Sequence, residues 1–290
     1  MFEVKKAQRE KVKLKIALDG PSDSGKTYSA LRMAYGITGD WSRIAVADTE
    51  NKSALYYAGP MTSTEWKHID FPPDYHPTRW IELIKYVEKL KDIDVLILDS
   101  ISHEWEGDGG CMDLIDKINK GWSGWRKVTP FHNSFIDKMR QSQLHIIATM
   151  RTKSEYVTEQ NAKGQTVPKK VGLKANQRDG TDYEFGVVFD IEINHFTNVS
   201  KDRTGLFANR GPFMITEETG KELLEWSMGG VEPSAKREGA TTSKIDQLLQ
   251  LADRIVEPDL KKKVVSSLNE NQDNMEYLTK AETRIKELIK

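Results

Sequence analysis

Residues 14–33 read LKIALDGPSDSGKTYSALRM, in which a short apolar run leads through a glycine-containing loop into a stretch with helical spacing. Gly20, Gly25, Lys26 and Thr27 fit the pattern G-x-x-x-x-G-K-[ST]. A loop of this kind joins a buried strand to a helix at the carboxyl edge of a parallel sheet. We therefore predict a strand over residues 14–18, a helix over residues 28–37 and an α/β fold around them.

The composition of this loop suits the phosphates of a nucleoside triphosphate. Its glycines leave backbone amides free to face a phosphate, and the following helix N-terminus adds partial positive charge. Lys26 is expected to reach the β- and γ-phosphates, and the Thr27 hydroxyl to ligand Mg²⁺. The alternative is an ordinary glycine turn, which the flanking strand and helix disfavour. The residues predicted to contact nucleotide are Gly20, Pro21, Ser22, Asp23, Ser24, Gly25, Lys26, Thr27 and Tyr28.

Short apolar runs alternate with amphipathic stretches through the first two thirds of the chain, as in a mostly parallel sheet covered by helices. The predicted strands are residues 14–18, 44–47, 95–98, 144–149 and 187–193. A helix is predicted over residues 77–90, with Trp80, Ile84 and Val87 on one face. Residues 155–171 and 195–207 each read as a β-hairpin that leaves the sheet.

The chain has 290 residues, of which 38% are hydrophobic, enough for one core domain and a small appendage. We predict an ATPase-like core over residues 1–228, a Gly- and Pro-containing linker over 229–243 and a helical module over 244–290. Ser243 is expected to cap the first helix of that module, and Pro258 to open the second. The apolar positions of its three helices are Ile245, Leu248, Leu249, Ala252, Ile255, Leu260, Val264, Leu268, Met275, Leu278, Ile285 and Leu288.

Cys111 is the only cysteine, so an internal disulfide is excluded and a reducing compartment such as the cytoplasm is expected. The first residues do not resemble a signal peptide. Apolar runs such as DVLILDS are far shorter than the ~20 residues needed to cross a bilayer, so no membrane partner is expected.

A second acid is needed beside a phosphate loop of this type to complete the magnesium shell. Asp99 ends the apolar run DVLILDS and is predicted to fill this role, whereas Asp94 begins the run at its opposite end. A further group must orient or deprotonate water. The spacing leaves four candidates for it, which are Asp48, Glu50, Glu104 and Glu106.

Several later motifs resemble the ATPase core of RecA-type recombinases, most closely the bacteriophage RecA-like ATPases described as single-strand annealing recombinases. They are DTE, LILDSISHEW, IIATMRTKSEYV and KKVGLKANQRDGTDYEFGVVFDI, and the resemblance covers residues 12–228. It implies ATP and Mg²⁺ as cofactors, Glu50 as the residue that activates water, and binding of single-stranded DNA by a homo-oligomer in the cytoplasm of a bacterial host. A single-stranded-DNA-binding protein is a further implied partner. The family usually senses the γ-phosphate with a glutamine after the fourth strand. Here that place holds Met150 to Lys153, so Arg151 is the expected sensor.

Basic residues concentrate after this strand. Residues 151–180 hold seven Lys or Arg against three acids, an excess of +4 in a chain of formal net charge −1. We predict that this segment neutralises DNA phosphates, in preference to packing against a neighbouring subunit. The predicted DNA-binding residues are Lys153, Lys163, Lys169, Lys170, Lys174 and Arg178. Lys169, Lys170 and Arg203 are also candidates to act on ATP bound by a neighbour.

Residues 116–142 mix basic residues with Trp122, Trp125, Phe131 and Phe135. We interpret these aromatics as the buried face of a helix, with base stacking as the alternative. A metal site built from His103, Glu104 and Glu106 is not favoured, and His145 is predicted to be core. Two rival functions remain, an accessory ATPase that binds a protein through the C-terminal helices and a regulatory nucleotide binder that scarcely hydrolyses ATP.

Overall fold

The protein is described from a computed structural model. The described residues are 6–59, 61–118, 122–160, 166–231, 248, 251–252, 258–270, 280–281 and 284–285, with the main chain alone at 122, 154–160, 166–173, 258–259, 262 and 269–270. Contacts divide the chain into two compact units, Met1–Val231 and Glu232–Lys290.

The first unit alternates strands and helices along the sequence. Its strands are β1 (Lys15–Gly20), β2 (Ile44–Asp48), β3 (Lys67–Asp70), β4 (Val95–Asp99), β5 (His145–Gln160), β6 (Thr166–Ala175), β7 (Val187–Ile191) and β8 (Thr197–Asp202). Its α-helices are α1 (Lys26–Thr38), α2 (Pro77–Lys89), α3 (Ser102–Glu106), α4 (Cys111–Ile118), α5 (Trp122–Gln141) and α6 (Glu217–Met228). Short 3₁₀ turns occupy Trp41–Arg43, Ser53–Tyr57 and Thr181–Glu184.

A twisted, mostly parallel sheet forms the centre of this unit, which confirms the predicted α/β class. The strand order is β3-β2-β4-β5-β1-β7-β8, parallel from β3 through β7 and antiparallel only between β7 and β8. Strand β5 continues beyond the parallel sheet and pairs with β6 in an antiparallel hairpin. The carboxyl ends of the parallel strands therefore meet at one edge, where loops of α/β sheets carry their sites.

Helices cover both faces of the sheet and enclose two apolar clusters. On one face, α2 and α5 pack over β4 and β5, with Trp80 and Phe135 fully buried. On the other, α1 and α6 cover β1 and β7. Helices α1 and α6 cross at Gly36 and Gly220, where an added Cβ would overlap backbone atoms of the facing helix. Only glycine allows this close approach.

The structure confirms most of the predicted elements and corrects others. Helix α2 begins at Pro77 as predicted and buries Trp80, Ile84 and Val87. The strand predicted over residues 187–193 ends at Ile191, and Ile193 is 64% exposed, since the chain turns there into β8. Residues 195–207 were predicted to form a hairpin by themselves, but β8 instead pairs back onto β7. Strands β3 and β8 lie at the two ends of the strand order and carry few apolar residues, which is why the apolar pattern missed β3 and indicated β8 only as part of a hairpin.

The second unit contains α7 (Pro258–Glu270), which begins at Pro258 as predicted. A small buried cluster of Leu248, Ala252, Leu268 and Ile285 lies within the described part of this unit, at four of the apolar positions singled out from the sequence. Leu260 and Val264, two further predicted positions, are partly buried against this cluster. The remaining predicted positions lie outside the described residues; they are Ser243, Ile245, Leu249, Ile255, Met275, Leu278 and Leu288. None of the helices that the structure describes is both long and apolar enough to cross a bilayer.

Candidate functional site

The loop between β1 and α1 has the backbone that its sequence predicts. Strand β1 ends at Gly20, and α1 begins at Lys26 after Gly25, whose φ of 87° is in the left-handed region that favours glycine. A Cβ on Gly20 would lie 2.6 Å from the carbonyl oxygen of Ile191 and would overlap the Ser24 hydroxyl. Both glycines are therefore required by the local backbone, which is the backbone that a phosphate loop needs.

Lys26 is the first residue of α1, directly after this loop. Its Nζ donates hydrogen bonds to the carbonyl oxygens of Gly20 at 2.9 Å and Pro21 at 2.6 Å. Burial lowers the pKa of Lys26, and the nearby carboxylates of Asp99 and Glu50 oppose that shift. A triphosphate would supply stronger, charge-assisted acceptors than these two carbonyls.

Thr27 and Asp99 meet in space although they are far apart in sequence. The Thr27 hydroxyl donates to Asp99 Oδ2 at 2.7 Å, and the Thr149 hydroxyl donates to Oδ1 at 2.5 Å. Asp99 is 2% exposed, and this burial raises its pKa. A hydroxyl and a carboxylate side by side are the oxygen donors that Mg²⁺ takes beside a phosphate loop, so these residues fit the implied magnesium ion.

The ends of β2 and β4 are tied together next to Asp99. In the register of the two strands Asp48 lies opposite Asp99. The Thr49 amide donates to the carbonyl oxygen of Asp99 at 2.7 Å, and the Ser100 amide donates to the Thr49 hydroxyl at 2.8 Å. His103 Nδ1 lies 2.6 Å from the same hydroxyl. The loop that follows Asp48 is thereby held against the end of β4 that carries Asp99.

Asp48 and Glu50, two of the candidates for activating water, have different surroundings. Asp48 is buried, and its carboxylate accepts from the amides of Glu50 at 2.7 Å and Ala54 at 2.9 Å, so it shapes the loop. The Glu50 side chain instead forms an ion pair with Arg151, whose Nε donates to Oε1 at 2.8 Å. Arg151 lies opposite Gly20 in the register of β5 and β1. Glu50 and Arg151 therefore lie together beside the phosphate loop.

Glu104, the third candidate, is fully buried in a polar network. Its carboxylate accepts from the Cys111 thiol at 3.2 Å and from the Gln177 amide at 3.2 Å, and His132 Nδ1 lies 3.1 Å from it. Glu104, Cys111 and His132 place their ligand atoms within 4.8 Å of one another, the arrangement of a possible metal site within the described residues. The combination of His103, Glu104 and Glu106 is not brought together, because Glu106 is exposed and His103 bonds to Thr49.

One residue of the site was missed from the sequence. His195 follows β7, has a φ of 70°, and donates from Nδ1 to the carbonyl oxygen of Ser24 at 3.0 Å. Its ring also lies where a Cβ on Gly25 would make a 3.3 Å contact. His195 reaches the phosphate loop because β7 pairs with β1, and no local motif marks it.

Tyr28, the last residue predicted to contact nucleotide, stacks on Tyr57 with ring centroids 5.7 Å apart. The Arg32 guanidinium lies over the Tyr28 ring at 5.7 Å from its centroid. The remaining loop residues Pro21, Ser22, Asp23 and Ser24 lie between β1 and α1 as predicted. The Ser24 hydroxyl is buried and has no hydrogen-bond partner among the described residues.

A cavity of about 790 Å³ opens on the other side of Gly20, between β7, β8 and the segment that follows β6. Its lining includes Asp19, Asp182, Asp190 and Glu192. Burial raises the pKa of Asp19 well above its ordinary value, and the neighbouring Asp190 carboxyl adds to this effect. The lining also holds Lys174 and Arg178, but its acids outnumber its bases five to two, so this cavity suits phosphates less well than the loop around Lys26 does.

The predicted hairpin is present, formed by β5 and β6. Lys153 is exposed, Lys174 pairs with Asp179 at 2.7 Å, and Arg178 donates from Nη1 to Asn133 Oδ1 at 3.0 Å. Lys169 and Lys170 are described by their main chain alone, within β6, and Lys163 lies outside the described residues. Arg203, the third candidate to act on a neighbour's nucleotide, is exposed and donates to the carbonyl oxygen of Tyr183 at 3.3 Å.

The aromatics of residues 116–142 divide between core and surface. Phe135 is fully buried, as the interpretation of a buried helix face requires. Phe131 is 41% exposed, and Trp125 is half-buried against a cluster of Cys111, Ile115 and Val128. The Trp122 side chain is not described. The buried-face interpretation is therefore right for Phe135 and incomplete for Phe131 and Trp125.

Similarity to a known protein family agrees with this geometry. The sequence model of a family described as an AAA domain matches residues 12–220, which include the whole phosphate loop and every strand from β1 to β8. No curated protein matches the chain.

Proposed function

Because the chain belongs to the AAA domain family, whose members are P-loop ATPases that bind nucleotide, we propose that its ATP hydrolysis is coupled to binding of single-stranded DNA. In this proposal the protein is a phage-type RecA-like recombinase that works as a homo-oligomer and promotes annealing or strand exchange. ATP is the substrate, and Mg²⁺ is held by Thr27 and Asp99.

One observation carries this proposal. Strand β5 runs without a break from the sheet, where Arg151 is paired with Gly20 in the register, into the hairpin with β6. One strand therefore joins the phosphate end of the site to the basic segment, and in this proposal a change at the first alters the second. Lys153, two residues beyond Arg151, is already exposed at the base of the hairpin.

The side chains of the site divide the chemistry among them. Lys26 binds the β- and γ-phosphates, and Glu50 accepts a proton from the attacking water. Arg151 restrains the Glu50 carboxylate through their ion pair and is positioned to exchange this partner for the γ-phosphate. When bound, Mg²⁺ neutralises charge that develops on the phosphates.

Stimulation of ATP hydrolysis by DNA tests the proposal. We expect the full chain to hydrolyse ATP faster with a single-stranded oligonucleotide than with a duplex of the same sequence or with no DNA. Lys26→Ala is the control, since it removes the phosphate contact without touching the core and should abolish nucleotide binding. Hydrolysis that neither DNA form changes, without DNA binding, would favour an accessory ATPase with a protein partner. Nucleotide binding without turnover would favour a regulatory binder.

A further inference from the structure

Two tryptophans from different helices lie side by side near the base of the hairpin. Trp105 in α3 and Trp125 in α5 have ring centroids 5.5 Å apart and an interplanar angle of 33°. Both pack on a small apolar cluster of Cys111, Ile115 and Val128. Neither indole is fully buried, and we call the pair the tryptophan platform.

The platform opens onto two adjoining cavities. Both indoles line a cavity of about 310 Å³, and Trp125 also lines a second of about 560 Å³. Arg178 lines both, so the two cavities share a wall. Partial exposure is common for tryptophan, and the feature that distinguishes this pair is that it faces space large enough for a planar ligand.

The walls of these cavities are basic. Their charged residues are Arg126, Lys153, Lys174 and Arg178 against Asp179, which pairs with Lys174, so the net charge is +3. The cations come from α5, β5, β6 and the segment after β6, so they surround the platform. Lys174, Arg178 and Asp179 also line the cavity beside Asp19, so the cations lie between the two cavities, and on the platform side they outnumber the acids, which suits a chain of phosphates.

A buried network fixes the platform from beneath. The His132 ring contacts the edge of Trp105 at 5.6 Å between centroids, and His132 Nδ1 lies 3.1 Å from Glu104. Gln177 donates to the same carboxylate at 3.2 Å and accepts from the Arg178 amide at 2.7 Å. The elements that carry the indoles and the Arg178 cation are thereby held in one arrangement, which lowers the entropic cost of binding.

We propose that the tryptophan platform stacks the unpaired bases of single-stranded DNA while the surrounding cations neutralise its phosphates, an inference that rests on the proposed function. Every base presents a flat aromatic face, so binding of this kind tolerates any sequence. Bases inside a duplex already stack on one another and offer no free face, so the platform discriminates against duplex. One stacked base is worth roughly 5- to 150-fold in affinity.

An abasic strand separates stacking from charge, because it keeps the phosphates and lacks the bases. We expect the full chain to bind a thymidine oligonucleotide at least several-fold more tightly than an abasic strand of equal length. Trp105→Leu and Trp125→Leu retain apolar packing on the cluster beneath. Each should reduce the ratio of the affinity for the thymidine strand to that for the abasic strand towards one. Affinity for the abasic strand and its salt dependence should stay unchanged. Trp41→Leu is the matched control, since Trp41 stacks on Tyr35 in a different part of the unit and should leave the preference intact.

The outcomes of this experiment test base stacking by the platform separately from DNA binding by the protein. If the unsubstituted chain binds both strands and the leucine variants keep its preference, the platform is wrong while DNA binding stands, and contact with a protein becomes the better use of these indoles. If the unsubstituted chain binds neither strand, the proposed function fails and the platform with it. Circular dichroism of each variant checks the fold. Should a leucine variant unfold, quenching of the unsubstituted protein's tryptophan fluorescence by the thymidine strand but not by the abasic strand supports stacking, and equal quenching by both overturns it.

Discussion

Arg151 forms an ion pair with Glu50 across 101 residues of sequence, with Nε donating to Oε1 at 2.8 Å. The pair lies where β2, β5 and the phosphate loop meet, and the Arg151 amide is itself held by the Ser102 hydroxyl at 2.9 Å. The hydrogen bond and charge of Glu50 raise the pKa of Arg151. The ion pair therefore holds the Glu50 side chain beside the phosphate loop.

Replacement of Glu50 by Gln tests the assignment of the water-activating residue. The amide keeps the shape of the side chain and cannot accept a proton, so ATP binding should persist while the hydrolysis rate falls by about 100-fold or more. Steady-state ATPase rates and nucleotide affinity measure the two effects. Glu104→Gln is the comparison, because its carboxylate faces Cys111 and His132 in a buried network. If Glu104→Gln stops turnover and Glu50→Gln does not, the roles are reversed.

Local sequence predicted those parts of the site that a single segment determines. The phosphate loop follows from the spacing of Gly20, Gly25 and Lys26, and Asp99 follows from its place at the end of an apolar strand. The pairing of Arg151 with Glu50 and the reach of His195 to Ser24 depend on which strands are neighbours. Strand order and register are set by long-range packing, and no local pattern encodes them.

The tryptophan platform shows the same limit in another form. The aromatic spacing of α5 correctly indicated an apolar face, but a helix has more than one side. Phe135 faces the core under α2, whereas Trp125 meets Trp105 from a helix that lies earlier in the chain. The elements that pack against the helix decide which of its aromatics remain partly exposed. The sequence of the helix alone does not indicate those neighbours.

The crossing of α1 and α6 gives a prediction about stability. Gly36→Ala places a methyl group against the carbonyl oxygen of Glu217. Because α1 and α6 both pack against the core, neither helix can move away freely. Overpacking of this kind should lower the free energy of unfolding by about 1–3 kcal/mol. Gly211→Ala is the matched control, because a Cβ added there would meet nothing within 4 Å and the φ of Gly211 is not positive. Urea unfolding of both variants measures the difference, and equal stability would show that the helices separate easily.

The basic hairpin gives a prediction about how the affinity for single-stranded DNA depends on salt concentration. Replacing Lys163, Lys169, Lys170 and Lys174 together by Ala should weaken single-strand binding alike for all sequences. It should also flatten the dependence of log affinity on log salt by roughly 0.7 for each lost phosphate contact. Nucleotide binding should hardly change. Binding titrations over a salt series provide the measurement.

The control for the hairpin removes as many lysines from another surface. Lys67, Lys85, Lys89 and Lys91 are exposed on β3, on α2 and just after α2. Their replacement by Ala changes the net charge equally, so the salt slope should stay near that of the unsubstituted protein. An unchanged affinity and slope in the hairpin variant, together with an altered oligomer size, would show that the hairpin is a subunit contact.

His145 gives a prediction about acid stability. It is buried at the start of β5, where its Nδ1 accepts a hydrogen bond from the Leu14 amide at 3.2 Å. Burial is the main reason that the pKa of His145 is lowered to about 3. The nearby charges of Lys13 and Lys15 contribute to this shift, and Asp94 opposes it. The unfolded chain binds a proton at this residue below pH ~6.5, and the native protein does not until about 3. Above pH ~6.5 both states are neutral, so the free energy of unfolding should fall by up to ~1.4 kcal/mol per pH unit below it. His145→Gln keeps an acceptor for the Leu14 amide and cannot titrate. The contributions of carboxyl groups to the pH dependence of unfolding are common to both proteins. Urea unfolding between pH 7 and 5 should therefore show a steeper loss for the unsubstituted protein, and parallel curves would contradict a neutral buried imidazole.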